Sequence, residues 1–554
     1  MAYSAKSPGV GSFVLSGRFR LDRLQLTAFF IAILVLAPLG VVLSSVFSQT
    51  NGVWQHLVHT VLGELLLNTL WLVLGVGAGT TLLGVSLAWL TAACDFPGRR
   101  LFDWALMLPL AIPAYVTAFV GIGLLDFTGP VQTHLRMWLG EEHVWFPKIR
   151  STGGVILIMT LALYPYVYLL VRNAFLTQGK RAVEAAQSLG YGRWSGFFKV
   201  SLPMAQPWIA GGLMLALMET LADFGAVSIF NYDTFTTAIY KAWFGLFSLP
   251  AAAQLSSLLV LIVFVLLMIE QQLRSRMRYV QIGKSSIHSD RIVLRHARGW
   301  FASAYCTWVL MVAFVIPVVQ LLIWAYNVFD QDFDSRYLGF LSHSLLLGGI
   351  AALLITTCAL ILVYANRHHH FLTHIIVKIA TLGYALPGSV LAVGVFMVLA
   401  WLDHQIMSWG RSWFNLETGF LINGTLAAMI LAYLVRFLAV AYNPIESAMQ
   451  RITPSVDEAA TSLGSGGIRL LQRVHLPILR GGLLTAATLV FVDVMKEMPM
   501  TLMTRPFGWD TLSIRIFEMT SEGEWERAAL PAVALVLAGL IPIMALTKKS
   551  SRVD

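Results

Sequence analysis

Glu184-Ala185-Ala186-Gln187-Ser188-Leu189-Gly190 and Glu458-Ala459-Ala460-Thr461-Ser462-Leu463-Gly464 are two copies of one heptapeptide, 274 residues apart in a chain of 554. In each copy the Gly is followed thirteen residues later by the Pro of a Leu-Pro pair, Pro203 and Pro477. The same offset relates Pro113 to Pro387, Glu219 to Asp493 and Asp223 to Glu497. It drifts to 277 at Asp233-Thr234 and Asp510-Thr511, which a few inserted loop residues explain. The chain reads as a tandem duplication.

The surroundings of these repeats are apolar. Apolar residues make up 57% of the chain and charged residues 12%, with a mean hydropathy of +0.73; soluble domains carry about 25% charged residues. Apolar runs fall near 26–48, 65–91, 104–125, 152–172, 208–230 and 252–270, then near 300–328, 342–366, 375–402, 420–443, 482–504 and 529–547. Many approach the roughly 20 residues a helix needs to cross a bilayer. The expected fold class is all-α integral membrane, with about twelve spans as two fused six-helix repeats. Residues 1–270 form the first repeat, 271–299 a basic linker and 300–554 the second. Six spans per copy is an even number, so the copies share one orientation, as parallel repeats do.

The net charge of +9 is read through the positive-inside rule rather than as a nucleic-acid footprint, since no soluble basic domain is present to hold one. Basic residues gather at the N-terminus, at Arg99-Arg100, at Lys180, Arg181, Arg193 and Lys199, in the linker and at Lys548, Lys549 and Arg552. The alternate loops are acidic or mixed, so both termini are expected on the cytoplasmic side of a bacterial inner membrane. The first 25 residues precede the first apolar run without a small-residue cleavage site, so that run is expected to stay as a membrane helix. Cys94, Cys306 and Cys358 lie in or beside apolar runs and read as buried free thiols.

The duplicated heptapeptides fall on the basic side, between the fourth and fifth span of each copy. Ala185 and Ala186 favour helix. Gly190 and Gly464 suit the left-handed residue that ends one. Pro203 and Pro477 are expected to force an extended residue before them and to open the next span. The product should be a bent pair of helices projecting from the membrane.

This pattern resembles the EAA loop of ABC importer permeases, matched at Glu184, Ala185, Ala186, Gly190 and Pro203, and at Glu458, Ala459, Ala460, Gly464 and Pro477. The resemblance implies a short helix seated in a groove of an ATPase subunit. It implies two ATPase copies, a periplasmic substrate-binding protein, membrane lipid around the spans and one permease chain per complex. No cofactor is expected on this chain, and ATP and Mg are expected on the partner ATPase. Gly283-Lys284-Ser285 looks like the end of a phosphate-binding loop, but Arg278 stands where that motif needs Gly. The chain is accordingly read as a transport permease, not an enzyme.

Glu219, Asp223, Asp493 and Glu497 fall in the fifth and eleventh spans, where a charge costs roughly 2.5–3.5 kcal/mol on insertion scales. Their i, i+4 spacing puts each pair on one helix face. One reading is a translocation path, with transient metal contact at all four. The other is structural, with the carboxylates cross-linking helices. Lys496 could neutralise Asp493 or Glu497, whereas the first copy has Ala222 there.

Met218–Phe230, Phe491–Leu502 and Arg505–Leu512 resemble the ferric-iron importer permeases, a double-length branch of the same family. That resemblance implies Fe(III) moved inward by alternating access, and hard Fe(III) does prefer oxygen ligands. Thiamine, polyamine or phosphonate are alternative cargoes, and a secondary transporter is a rival that would have no ATPase to dock. Met495, Met498, Met500 and Met503 read as gap-filling residues. Arg367 with His368, His369, His370 and His374 reads as a cationic loop at the membrane edge.

Overall fold

The computed structural model describes residues 23–47, 52–140, 145–188, 190, 192–275, 291–367, 371–414, 419, 421–465 and 468–550. Long helices dominate. In chain order they are α1 (Arg23–Ser44), α2 (Leu62–Ala93), α3 (Ala114–Leu125), α4 (Thr152–Ser188), α5 (Leu202–Ala222) and α6 (Leu249–Ser275). The second copy supplies α7 (Ala297–Asp332), α8 (Ser335–Arg367), α9 (Gly388–Phe414), α10 (Leu426–Met449), α11 (Leu476–Lys496) and α12 (Trp525–Ser550). Among the described residues eleven helical stretches are long and apolar enough to cross a membrane, the third being Ala114–Leu139, where α3 is followed by a second helix, Pro130–Leu139. The twelfth, α12, stands at the position of the last expected span, and its final ten side chains lie outside the description. Among the described residues the one sheet is a pair of two-residue strands, in which Cys94–Asp95 runs parallel to Ile292–Val293.

Four of the expected spans are broken. The third and ninth are interrupted at repeat-related turns, Leu108–Ala111 and Thr381–Ala385, followed by Pro113 and Pro387. The fifth and eleventh stop at Ala222 and Lys496, where Asp223 (φ −66°, ψ 132°) and Glu497 (φ −69°, ψ 119°) are extended. Short helices Gly225–Ile229 and Pro499–Thr504 follow. The expectation that each carboxylate pair shares one helix face is therefore wrong, because the second member sits at the break rather than on the helix.

The copies exchange helices. One core joins α2, α3 and α4 to α7 and α12 of the other copy, and the second joins α8, α9, α10 and α11 to α1 and α6. In lipid, association rests on close packing of small residues rather than on hydrophobicity. A Cβ at Gly123 would come within 2.6 Å of the Trp324 ring on α7, and one at Gly394 within 2.6 Å of the Pro38 carbonyl on α1. Each glycine thus admits a helix of the opposite copy.

Candidate functional site

The two EAA-like segments begin differently. In the first copy α4 runs unbroken to Ser188, so the backbone of Glu184, Ala185 and Ala186 continues a membrane helix; the side chains of 178–187 lie outside the described residues. In the second, α10 ends at Met449 and a separate helix, Pro454–Ser462, carries Glu458. Pro454 explains the difference, since it holds Thr453 extended (φ −71°, ψ 153°) and has Lys180 as its counterpart. The expected helix, glycine break and second short helix appear in both copies, but only in the second is the first member a separate helix. Both segments end as expected, with Gly190 at φ +81° and Gly464 at φ +79°. Glu458 and Ala459 are exposed, Ala460 is buried and Leu463 is 86% exposed.

The prolines that follow do not force an extended residue. Leu202 (φ −67°, ψ −46°) and Leu476 (φ −56°, ψ −44°) are helical. A wide turn precedes each, in which Leu202 N–H reaches the Phe197 carbonyl and Leu476 N–H that of Leu471. This i→i+5 bonding resets the helical register, so Pro203 and Pro477 fall in a first turn where a missing N–H is tolerated.

Different chemistry ties each segment to the helix beside it. Trp89 on α2 packs on Phe175 of α4 and on Phe197, with centroids at 5.3 and 4.3 Å. In the second copy Arg367, the last residue of α8, pairs with Asp457 at 2.7 Å, and His475 Nε2 donates to the other oxygen at 2.8 Å. Burial alone would raise the Asp457 carboxyl, but the hydrogen bonds from His475 and Arg367 hold it below its ordinary range. Arg367, at the end of a helix long enough to cross a membrane, is thus turned onto Asp457 and the end of α10. His374 is exposed, and His368, His369 and His370 lie outside the described residues, as do Arg278 and Gly283–Ser285.

The four acidic residues separate into two pairs by what they bond. Asp223 Oδ1 accepts from Val227 N–H at 3.1 Å and Glu497 Oε1 from Met500 N–H at 3.0 Å, so each carboxylate caps the short helix after its break. Thr236 Oγ1 donates to the Asp223 carbonyl at 2.6 Å and Ser513 Oγ to the Glu497 carbonyl at 2.9 Å. Glu219 and Asp493, four residues earlier, are half-buried and within electrostatic reach of each other. The Tyr384 hydroxyl, from the opposite copy, donates to Glu219 at 3.2 Å.

Lys496 lies within electrostatic reach of Asp493, as its spacing suggested, but it is not the ion-pair partner of Glu497. Lys496 Nζ donates to the Leu110 carbonyl of the first copy at 3.0 Å, and Glu497 pairs instead with Arg436 of α10 at 3.3 Å. Gly388 makes room for that pair; a Cβ there would collide with Arg436 Nη1 and lie 2.6 Å from Glu497 Oε1. Arg436 escaped the sequence reading, although a lone Arg amid the apolar run Leu434-Val435-Arg436-Phe437 is itself a signal. Met495, Met498, Met500 and Met503 are buried in the two cores, as gap-filling residues are. Among the described residues no three His, Cys, Asp or Glu side chains converge as a metal-holding group, so the four carboxylates do not form one cage.

The chain resembles known transport proteins over most of its length. It is 28% identical over 492 residues to the Fe(3+)-transport system permease protein of Haemophilus influenzae, covering 88% of this chain and 90% of that one. The ferric transport system permease protein of Actinobacillus pleuropneumoniae is 22% identical over 457 residues, with 77% and 62% covered. The molybdenum transport system permease protein of Escherichia coli is 31% identical over 188 residues, 34% of this chain and 80% of that one. Residues 81–279 and 355–551 each match the family described as binding-protein-dependent transport system inner membrane component. With both copies matched, the chain belongs to that family as a duplicated, multi-pass ABC importer permease.

Proposed function

We propose that this permease moves Fe(III) inward by alternating access. The observation that carries the reading is the pair Glu219 and Asp493, repeat-related carboxylates within electrostatic reach of each other, with the Tyr384 hydroxyl bonded to Glu219. All three offer oxygen, the donor that hard Fe(III) prefers, and the ferric permeases among the relatives support the same cargo. Asp223 and Glu497 act as caps in this reading and do not touch cargo. Glu184 and Glu458 lie on segments that dock two copies of a separate ATPase, which binds ATP and Mg. A periplasmic binding protein delivers the iron, one permease chain serves each complex, and both termini lie in the cytoplasm of the bacterial cell.

A second reading is an oxyanion cargo, favoured by the cations Lys496 and Arg436 beside the same carboxylates and supported by the molybdenum permease relative. Uptake of radiolabelled Fe(III) and molybdate into cells carrying the full transporter separates the two. Glu219→Ala plus Asp493→Ala should abolish iron uptake, and Glu184→Ala plus Glu458→Ala should abolish uptake of either cargo. Iron uptake that survives the first pair overturns the pathway role, and uptake that survives the second overturns the docking role.

A further inference from the structure

The last turn of α8 contacts the helix that carries the second EAA-like segment, the end of α10 and the turn that opens α11. Arg367 donates through Nε (2.9 Å) and Nη2 (2.7 Å) to Asp457 on helix Pro454–Ser462. Its Nη1 donates to the Met449 carbonyl at 3.4 Å and its Nη2 to the Ile452 carbonyl at 3.2 Å, at the C-terminal end of α10, where a cation is favoured. Asn366 donates to the Tyr442 hydroxyl of α10 at 3.0 Å. Tyr364 lies edge-on to His475, 5.6 Å between centroids, in the wide turn that opens α11. Asp457 accepts from Arg367 and His475 together, so one carboxylate joins α8 to the start of α11.

The first copy has the same receiver with other chemistry. Its counterparts of Arg367, Asp457 and His475 are Ala93, Val183 and Ser201. There the last turns of α2 hold α4 through Trp89 against Phe175, and through the Thr91–Tyr168 hydroxyl pair at 3.1 Å. Apolar packing is non-directional and permits sliding. A forked guanidinium bonded to a carboxylate and two carbonyls fixes both distance and angle.

We propose that Arg367 is a positioning residue that makes the Glu458-bearing helix and α8 move as one rigid body. The second EAA-like segment, which sits on a helix of its own, then delivers its displacement to α8 through this fork, while the first needs no such fork because it is continuous with α4. This inference rests on the reading that these segments dock an ATPase.

The test is a distance between spin labels at Thr461→Cys, on the docking helix, and Leu353→Cys, on the exposed face of α8. It uses the full transporter with Cys94, Cys306 and Cys358 replaced, compared without nucleotide and trapped with ATP and vanadate. With Arg367 present, the distance should change by less than about 2 Å, within an ordinary helix shift. Arg367→Met should let it change by more than that, with Arg367→Lys, which keeps the charge but not the fork, in between. Asp457→Asn should resemble Arg367→Met and serves if the latter fails to fold. A distance that already shifts with Arg367 present, or one that Arg367→Met and Asp457→Asn leave unaltered, overturns the proposal. Co-purification of the ATPase with Glu458→Arg reports separately on docking. If that variant still holds the ATPase, the docking reading fails, whatever the labels show.

Discussion

Ser513 Oγ donates to the Glu497 carbonyl at 2.9 Å, and the carboxylate of the same Glu497 caps the helix that starts at Pro499. One residue thus closes both sides of a break inside a membrane span, its carbonyl satisfied from a returning segment and its side chain satisfying an orphan donor. Thr236 and Asp223 repeat the arrangement in the first copy. Backbone groups freed in a span must find such partners.

Removing one of these hydroxyls should loosen the break without destroying the fold. Ser513→Ala and Thr236→Ala should each cost about 0.5–1.5 kcal/mol, the net worth of an ordinary hydrogen bond. Thermal unfolding of the detergent-solubilised chain should show a lower midpoint for each, with the two effects adding.

Arg436→Met should be far more damaging. It removes the ion-pair partner of the 95% buried Glu497 side chain, and breaking a buried pair costs about 3–5 kcal/mol. Gly388→Ala should give a milder version of the same loss, since its Cβ intrudes on the pair. Arg436→Met combined with Glu497→Gln should recover part of the stability in a thermal melt, because the unpaired charge is gone.

Asp457 yields a pH signature. Its carboxyl is held below the ordinary range, so its contribution is present above the unfolded value of about 3.9 and is lost as pH falls through the lower folded value. The stability difference between the unaltered chain and Asp457→Asn should therefore be present at about pH 5 and shrink below about pH 4. A difference that vanishes near neutral pH would contradict this assignment.

Gly464→Ala places a Cβ in a left-handed residue at φ +79°, with no atom within 4 Å to hinder it. The penalty is thus conformational, roughly 1–2 kcal/mol. It should fray the end of helix Pro454–Ser462 and weaken ATPase co-purification, while leaving the spans unaltered by circular dichroism.

Much of the architecture is local and was therefore legible in the residues. The 274-residue offset, the apolar runs and the left-handed glycines follow from spacing and composition. The breaks at Asp223 and Glu497 were harder to see, since a carboxylate at i+4 reads as a helix face until its backbone is seen to be extended.

The chain by itself determined the duplication, the membrane class and the position of both EAA-like segments, because each rests on residue types at short, regular intervals. Tertiary structure decided the rest. It sent α1 and α7 into the opposite copy's core, paired Glu497 with Arg436, placed Tyr384 on Glu219 across 165 residues of chain, and turned Arg367 inward onto Asp457. Those contacts join residues whose separation carries no period, so close packing and the need to pair buried charge selected them.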